Sequence, residues 1–522
     1  MDSSSIFVSY RHGSDGDRLV SRVAALLRCS GLRPWIDHVD TGAGAIDQRI
    51  LDGLERAAGG VLIVTDDLVN SNYIRDKELP RMIQRVAEQR LPMMVVNNYR
   101  DPATGEIDVR KPDEIVQSAT DIPLVDITQA DVDSVEGQGR FVYGFLRRHA
   151  EHWVEEKMTH LTLFIQTGPG DAVPQSDLEM SFEESDENIP ADEYRRALAV
   201  GLPELARACQ RAQITSLAVA GGARLSVAVT LGAMFPRQGK IDRLTINEDW
   251  GNPEKPDPEV HGIEQTELPH ADDDGDSVAV FIKLKKTGDS ASGNDHAFTR
   301  LAAQLRPRRC VRLDLTGDGF IDPGEGSRLG AQIGRIITSI TDEADTPRVH
   351  LCFIGPFTMG VLIGRELNRL HTTVYEYLDD TSTYLPLFRL RPSARRQPIT
   401  AISHRQDTFD ELHNLTPHAV TLLSGDGETI ASWPAAERWA RLAEHADEQS
   451  VHVGSTAIPS AQVRYGGPVD LPPVREGVGL IVPRVLAEKV RRPDLLFPGG
   501  EVRDESGAIV GCRRLDSYKG QE

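Results

Sequence analysis

The sequence predicts a multidomain α/β protein, on three observations. Short, wholly apolar runs alternate with helical periodicity from Ile6 to Glu156. A strand, glycine-bearing turn and helix then occur twice between Leu161 and Leu390. Beyond Leu412 the pattern changes to short strand-like runs broken by Gly and Pro. Apolar strands alternating with helices build a parallel sheet covered on both faces. At 522 residues the chain exceeds what one core can hold, and roughly three domains of about 150 residues is the expectation.

In the first region, assigned to residues 1–155, the buried strands are Ile6–Ser9, Pro34–Ile36, Val61–Val64 and Pro92–Val96. Helical periodicity fills Asp17–Cys29, Ile46–Ala57, Asp76–Gln89 and Arg140–Glu156. In such a sheet, ligands bind in the loops at the carboxyl ends of the strands. Ser9, Tyr10 and Arg11 end the first strand on that edge, and Arg11 suits a phosphate. Trp35 and Asp37 lead into Asp40–Gly44, where Gly42 and Gly44 permit rearrangement. Trp35 reads equally well as a core aromatic. Glu78 follows the polar loop Asn70–Tyr73 and opens a helix. From spacing alone, an acidic residue there does no more than complement the helix dipole.

The runs I-F-V-S-Y-R-H, G-L-R-P-W-I-D with T-G-A-G, G-V-L-I-V-T and S-N-Y-I-R-D-K-E-L together resemble a TIR domain, a flavodoxin-like parallel-sheet fold. Ser71–Leu79 resembles the segment that carries the catalytic glutamate in NAD-cleaving TIR domains. The resemblance implies Glu78 as catalytic residue. Ser9, Tyr10, Arg11, Trp35, Asp37 and Tyr73 are then expected to bind NAD+. Family members often place Trp four residues before the glutamate; here Ile74 stands there and Tyr73 one position earlier. Nicotinamide is already a cationic leaving group, so one carboxylate that stabilises the ribosyl cation suffices.

The second region, residues 156–390, repeats itself in three matched segments, with units near 156–255 and 277–390. Leu161–Gly168 matches Val278–Lys285, Leu217–Gly232 matches His350–Gly364, and Leu244–Glu248 matches Thr373–Glu376. Three matches in the same order favour a duplication over two unrelated α/β units. The run H-L-C-F-I-G-P-F-T-M-G-V-L-I-G-R-E-L-N, with Y-E-Y and T-Y-L-P-L-F-R-L after it, resembles a SAVED domain, two fused Rossmann-like CARF units. SAVED domains sense cyclic oligonucleotides in bacterial CBASS anti-phage defence. The resemblance implies a cyclic oligoadenylate activator, a trinucleotide as first expectation. Turns at Gly221–Gly222 and at Gly355 offer backbone amides to phosphates. Arg224, Lys283, Lys285, Lys286, Pro356 and Phe357 complete the expected ligand set.

Residues 391–410 (with R-P-S-A-R-R-Q-P) are expected to be a linker, and 411–522 a small, mostly β module of no assigned role. Asp314–Glu325 fits an EF-hand loop, with oxygens at Asp314, Thr316, Asp318, Asp322 and Glu325 and a turn at Gly319. V-R-L-D-L before it reads as a strand instead of an entering helix, so no metal is expected. The net charge of −21 argues against binding DNA, RNA or an anionic membrane. Asp171–Glu193, with nine acidic residues and no Lys or Arg, reads as a solvated loop. Five widely spaced cysteines without C-x-x-C read as reduced thiols. With no signal peptide and no apolar run near 20 residues, a cytoplasmic protein is expected.

The combined expectation is a cyclic-oligonucleotide-activated NAD+ glycohydrolase that oligomerises, by stacking into filaments, when ligand binds. It needs no resident cofactor. A ligand-gated TIR scaffold that spares NAD+, and an ADP-ribosyl cyclase that makes a signal, are the alternatives.

Overall fold

A computed structural model describes residues 5–518, except 37–45, 72, 89–90, 102–103, 105, 117–121, 168–174, 183–189, 270–271, 273, 285–290, 318–319, 380, 392, 395–396, 403–408, 410, 425–426, 455, 473–477, 491, 493 and 505–506. Two compact units form, one from residues 1–302 and 306–401, the other from 303–305 and 402–522.

The first unit opens with a five-stranded parallel sheet. Its strands are β1 (Ser5–Ser9), β2 (Arg33–Ile36), β3 (Gly59–Ile63), β4 (Met93–Val96) and β5 (Thr128–Ala130), in the order β2-β1-β3-β4-β5. That is the flavodoxin-like order, whose switch point lies between β1 and β3. β3 and β4 are buried at every position, as expected of strands covered on both faces. The helix Leu79–Ala87 lays Leu79, Met82 and Ile83 against this core. Buried Arg85 reaches across to the carbonyls of Leu54 and Ala57, which end the helix Ile46–Arg56. β5 is short and polar, which is why its sequence carries no strand signal.

Two more α/β sheets follow. β6 (His160–Thr167), β7 (Leu178–Phe182), β8 (Ser216–Gly222) and β9 (Arg243–Ile246) form a parallel sheet in the order β7-β6-β8-β9. β10 (Ile263–Glu267), β11 (Val278–Lys283), β12 (Arg309–Leu315), β13 (Arg348–Ile354), β14 (His371–Leu378), β15 (Thr383–Leu390) and β16 (Ile399–Ala401) form the other, in the order β10-β12-β11-β13-β14-β15-β16. The segments matched in sequence take equivalent places: β6, β8 and β9 are parallel neighbours, and so are β11, β13 and β14.

The helices that follow β8 and β13, Leu225–Met234 and Phe357–Gly364, pack on one another. A Cβ on Gly232 would lie 2.0 Å from the Val361 carbonyl oxygen, and one on Gly364 would lie 2.2 Å from that of Val229. The repeat equates Gly232 with Gly364 and Val229 with Val361. Each unit therefore presents the same Val-x-x-Gly step to the other, a pseudo-two-fold contact within one chain.

The first sheet domain is seated on the first of these two units. The helix Ser14–Arg28 runs beside the helix Asp192–Arg211. Arg22 pairs with Glu193 at 3.5 Å and Arg33 with Glu179 at 2.6 Å, while Arg28 Nη1 donates to Tyr194 Oη at 2.6 Å.

The second unit is β-rich. A six-stranded sheet carries one helix, Arg484–Val490, and a two-stranded arm pairs Arg441–Val453 with Thr456–Val469. The first arm strand is rich in Ala, Glu and Gln, good helix formers, yet cross-strand pairing holds it extended. All five cysteines of the chain are buried and unbridged. Among the described residues, no helix is long and apolar enough to cross a membrane.

Candidate functional site

Two constellations stand at the carboxyl edges of these sheets. The first lies at the β1/β3 switch point. Ser9, the last residue of β1, is 1% exposed, and Glu78 is 5% exposed. Ser9 Oγ donates to Glu78 Oε2 at 2.5 Å across 69 residues of sequence. A hydroxyl-to-carboxylate bond of this kind orients the acceptor and is worth about 1.5–3 kcal/mol.

Glu78 closes a single π-helical turn, Ile74–Glu78, in which the Leu79 amide reaches the Ile74 carbonyl. Pro80 supplies the cause. It has no N–H to offer the Asp76 carbonyl, and its ring would collide with that oxygen in a regular α-helix. The wider turn sets where Glu78 points. Replacing Pro80 with Ala restores the donor and lets the turn tighten, and one residue of register swings a side chain by about 100°. If Glu78 is catalytic, Pro80→Ala lowers kcat roughly tenfold to a hundredfold with KM little changed. Unchanged kcat would separate the π turn from the chemistry.

The other expected residues of this edge are placed as follows. Arg11 pairs with Asp67 at 3.8 Å and with the Asn70 carbonyl at 3.5 Å, so it lines the loop after β3. Tyr10 is buried, its hydroxyl 3.1 Å from His12 Nδ1. The Trp35 ring stacks on Phe7 with centroids 5.2 Å apart, and Gly53 lies close against it. Trp35 and Tyr73 are partly buried and pack on the sheet core, which leaves only part of each ring at the edge. Asp37 and Asp40–Gly44 lie outside the described residues.

The second constellation lies between the duplicated units, at the amino ends of the paired helices. Glu376, on β14 of the second unit, is buried, and its Oε2 accepts the Ser226 amide of the first unit at 2.8 Å. The carboxylate thus occupies a helix amino terminus, where amides and dipole favour an anion. Burial pushes its pKa above the usual carboxylate range, opposed by the hydrogen bonds from Ser226. A raised folded value means that stability is complete below the ordinary carboxylate range and is lost as pH rises through the raised one. Glu376→Gln is therefore expected to melt higher than wild type at pH 8 and alike near pH 4, by about 2–4 °C per kcal/mol. Parallel pH profiles for the two proteins would contradict this.

The amino end of the other helix, Phe357–Gly364, is capped by Pro356 and has no such carboxylate among the described residues. Thr358 Oγ1, Tyr384 Oη and Asn294 Oδ1 are buried near this edge without a hydrogen-bond partner. Buried polar atoms are nearly always satisfied, so three orphans together mark a place where a polar ligand fits. Sequence reading missed Glu376, Thr358, Tyr384 and Asn294. Glu376 was visible only as the last residue of a repeat match and within the Y-E-Y run, with no role attached.

Among the residues expected here, Lys283 donates to Asp295 at 2.9 Å, so its charge is already committed. The amide expected to be free at Gly221 is not: it donates to Asn247 Oδ1 at 2.9 Å. Gly221 is required for another reason, since at φ +102° a Cβ would lie 2.2 Å from the Ile165 carbonyl oxygen. Gly222 faces open space. The Arg224 amide donates to Thr167 Oγ1 at 3.0 Å, and its charge acts on Glu376. Gly355 and Phe357 flank Pro356 at the turn, where Gly355 sits close against Phe353 and Leu284. Lys285 and Lys286 lie outside the described residues.

The EF-hand pattern forms no calcium loop among the described residues. Asp314 lies within β12 and binds Arg312 at 2.6 Å, and Thr316 Oγ1 accepts the Gly262 amide. Asp322 caps Gly324, while buried Glu325 takes the His261 amide at 2.8 Å and its Nδ1 at 2.6 Å. The side chains are spent on a capping box and a strand. Asp318 and Gly319 lie outside the described residues, and no group of three His, Cys, Asp or Glu gathers among the rest.

Residues 6–136 match the TIR domain family. Residues 202–390 match the SAVED family, the SMODS-associated and fused to various effectors sensor domain. Among solved structures, the chain is similar to the Cap4 SAVED/CARF-domain containing receptor of Acinetobacter baumannii with the cyclic trinucleotide 3'3'3'-cAAA. The identity is 12% and the TM-score 0.35, over 59% of this chain and 84% of that one. The same receptor with 2'3'3'-cAAA shows 12% identity and a TM-score of 0.34, over 65% and 83%. The Cap4 receptor of Moraxella osloensis shows 12% identity and a TM-score of 0.32, over 65% and 83%. No curated protein matches the chain.

Proposed function

We propose, on the premise that this chain joins a TIR domain to a SAVED domain, that it is an NAD+ glycohydrolase switched on by a cyclic oligonucleotide. The observation that carries this reading is the buried Ser9–Glu78 pair at the switch point of the sheet. As the bond to nicotinamide breaks, positive charge develops on the ribose. A carboxylate held in a low-dielectric pocket and already oriented stabilises that charge without reorganising. Water then captures the cation, giving nicotinamide and ADP-ribose. No cofactor is called for.

The activator's place is the edge between the duplicated units, where a ring of phosphates meets Arg224, the turn at Gly355–Phe357 and the unpartnered Thr358 and Tyr384. A cyclic oligoadenylate, a trinucleotide first, fits this reading. The buried Glu78 implies an off-state, since a carboxylate with 5% exposure is not yet open to substrate. A shift from 1:99 to 99:1 requires about 5.5 kcal/mol of differential binding. Assembly of several chains on ligand binding supplies such a bias, and NAD+ depletion in an infected cell is the biological outcome. The test mixes full-length protein, NAD+ and a panel of cyclic oligonucleotides and follows nicotinamide by chromatography. Release with one ligand and none without supports the reading. Silence across the whole panel would sink it. The second product separates hydrolysis from cyclisation.

A further inference from the structure

The paired helices have a second end. Where the helices Leu225–Met234 and Phe357–Gly364 finish, a cavity of about 500 Å³ opens between the two sensor units. Helices of this length put it about 12–15 Å from their amino ends. Six cations line it, Arg237, Arg243, Lys255, Arg328, Arg335 and Arg365, against the acids Asp242, Asp257 and Glu366. This is a basic concavity in a chain of net charge −21.

Four of the cations have carboxylate partners. Arg237 pairs with Glu366 at 3.6 Å, Lys255 with Asp249 at 2.9 Å and Arg328 with Asp257 at 2.6 Å, and Arg243 pairs with Glu254. Arg335 and Arg365 make no ion pair among the described residues. Arg365 is 8% exposed and donates only to backbone carbonyls, Nε to Phe235 at 2.9 Å and Nη2 to Ile241 at 3.0 Å. Glu366 and Asp242 act on Arg365 through space without a contact ion pair. A buried guanidinium so placed is costly, and the cavity beside it is where a contacting anion belongs. The two helix carboxyl ends contribute roughly half a negative charge each. The six lining cations still outnumber the three lining acids, Asp242, Asp257 and Glu366, by more than that sum, so the lining stays positive.

We propose that this cavity is a second ligand site, which takes a small molecule bearing a phosphate or diphosphate group, with Arg335 and Arg365 as its principal contacts. The volume suits a nucleotide-sized ligand. The site is separate from the nucleotide edge, and its existence does not depend on the NAD+-cleaving reading. An anion seated there ties the end of one unit's helix to residues 235–255 of the other, the stretch that holds β9, and so bears on the same pair of helices from the opposite end.

The test titrates full-length protein with sodium pyrophosphate at matched ionic strength in a calorimeter. Saturable one-to-one binding is expected in wild type. Arg335→Glu is expected to weaken it tenfold to a hundredfold, the effect of one charged hydrogen bond. Arg335 is exposed, so this variant keeps the wild-type melting temperature. No saturable binding, or equal affinity in Arg335→Glu, overturns the proposal. It is also overturned if the substitution changes the oligomeric mass and leaves pyrophosphate binding as it was. The occupant would then be a second copy of the chain.

Discussion

Glu78→Gln is expected to lower ligand-stimulated nicotinamide release by roughly a thousandfold, the upper range for removing one preorganised electrostatic stabiliser. The exchange keeps the shape and leaves Oε1 to accept the Ser9 hydroxyl, so the fold has no reason to change. It removes a buried charge, and the melting temperature should stay level or rise, as is common where function is held at the expense of stability. Chromatography of nicotinamide and a thermal melt read the two effects separately. A glutamine variant that cleaves NAD+ at the wild-type rate would remove Glu78 from the chemistry and leave the TIR domain as a ligand-gated scaffold. Ligand-driven assembly of that same variant, read by light scattering, would show that sensing survives without catalysis.

The second large effect concerns the seam between the sensor units. A Cβ at Gly232 meets a backbone oxygen at 2.0 Å, and one at Gly364 meets another at 2.2 Å. Neither obstacle is a flexible side chain, so the helices must separate. Gly232→Ala and Gly364→Ala are each expected to cost about 2–3 kcal/mol in urea unfolding. The double variant should cost clearly less than the sum, because one separation relieves both clashes. Full additivity would contradict the shared seam, and wild-type stability in either single variant would contradict the close approach itself. Both helices begin at the nucleotide edge, so ligand affinity is expected to fall alongside stability.

Much of this was legible in the chain. Wholly apolar runs such as V-L-I-V and M-M-V-V mark buried parallel strands, because only strands covered on both faces need no polar side. The duplication was legible because equivalent places in two sheets impose the same residue pattern, down to the Val-x-x-Gly step. Glu78 stood out as a candidate only by its resemblance to a known segment, while its spacing alone was compatible with a plain dipole-complementing role.

Other features had no local signal. The Ser9–Glu78 bond spans 69 residues, and the Glu376–Ser226 bond spans 150. Neither partner announces the other, because the match is made by sheet order and by the docking of two units. The EF-hand pattern shows the same limit. Its oxygens have calcium spacing, and the strand before it already spoke against a calcium loop, but that Asp314 pairs with Arg312 and Glu325 with His261 is seen only in the fold. Trp35 reads in sequence equally as a site or a core aromatic and Lys283 as a candidate phosphate contact; Phe7 and Asp295 engage them. Residue type and periodicity settled the buried strands and amphipathic helices of the α/β regions and which residue types stand at their sheet edges, since those depend on neighbours a few positions apart; β5 and the arm strand were decided by pairing. Whether a given polar group is spent or open was settled by packing, since a hydrogen bond or ion pair is a short-range contact whose partner arrives only when the chain has folded.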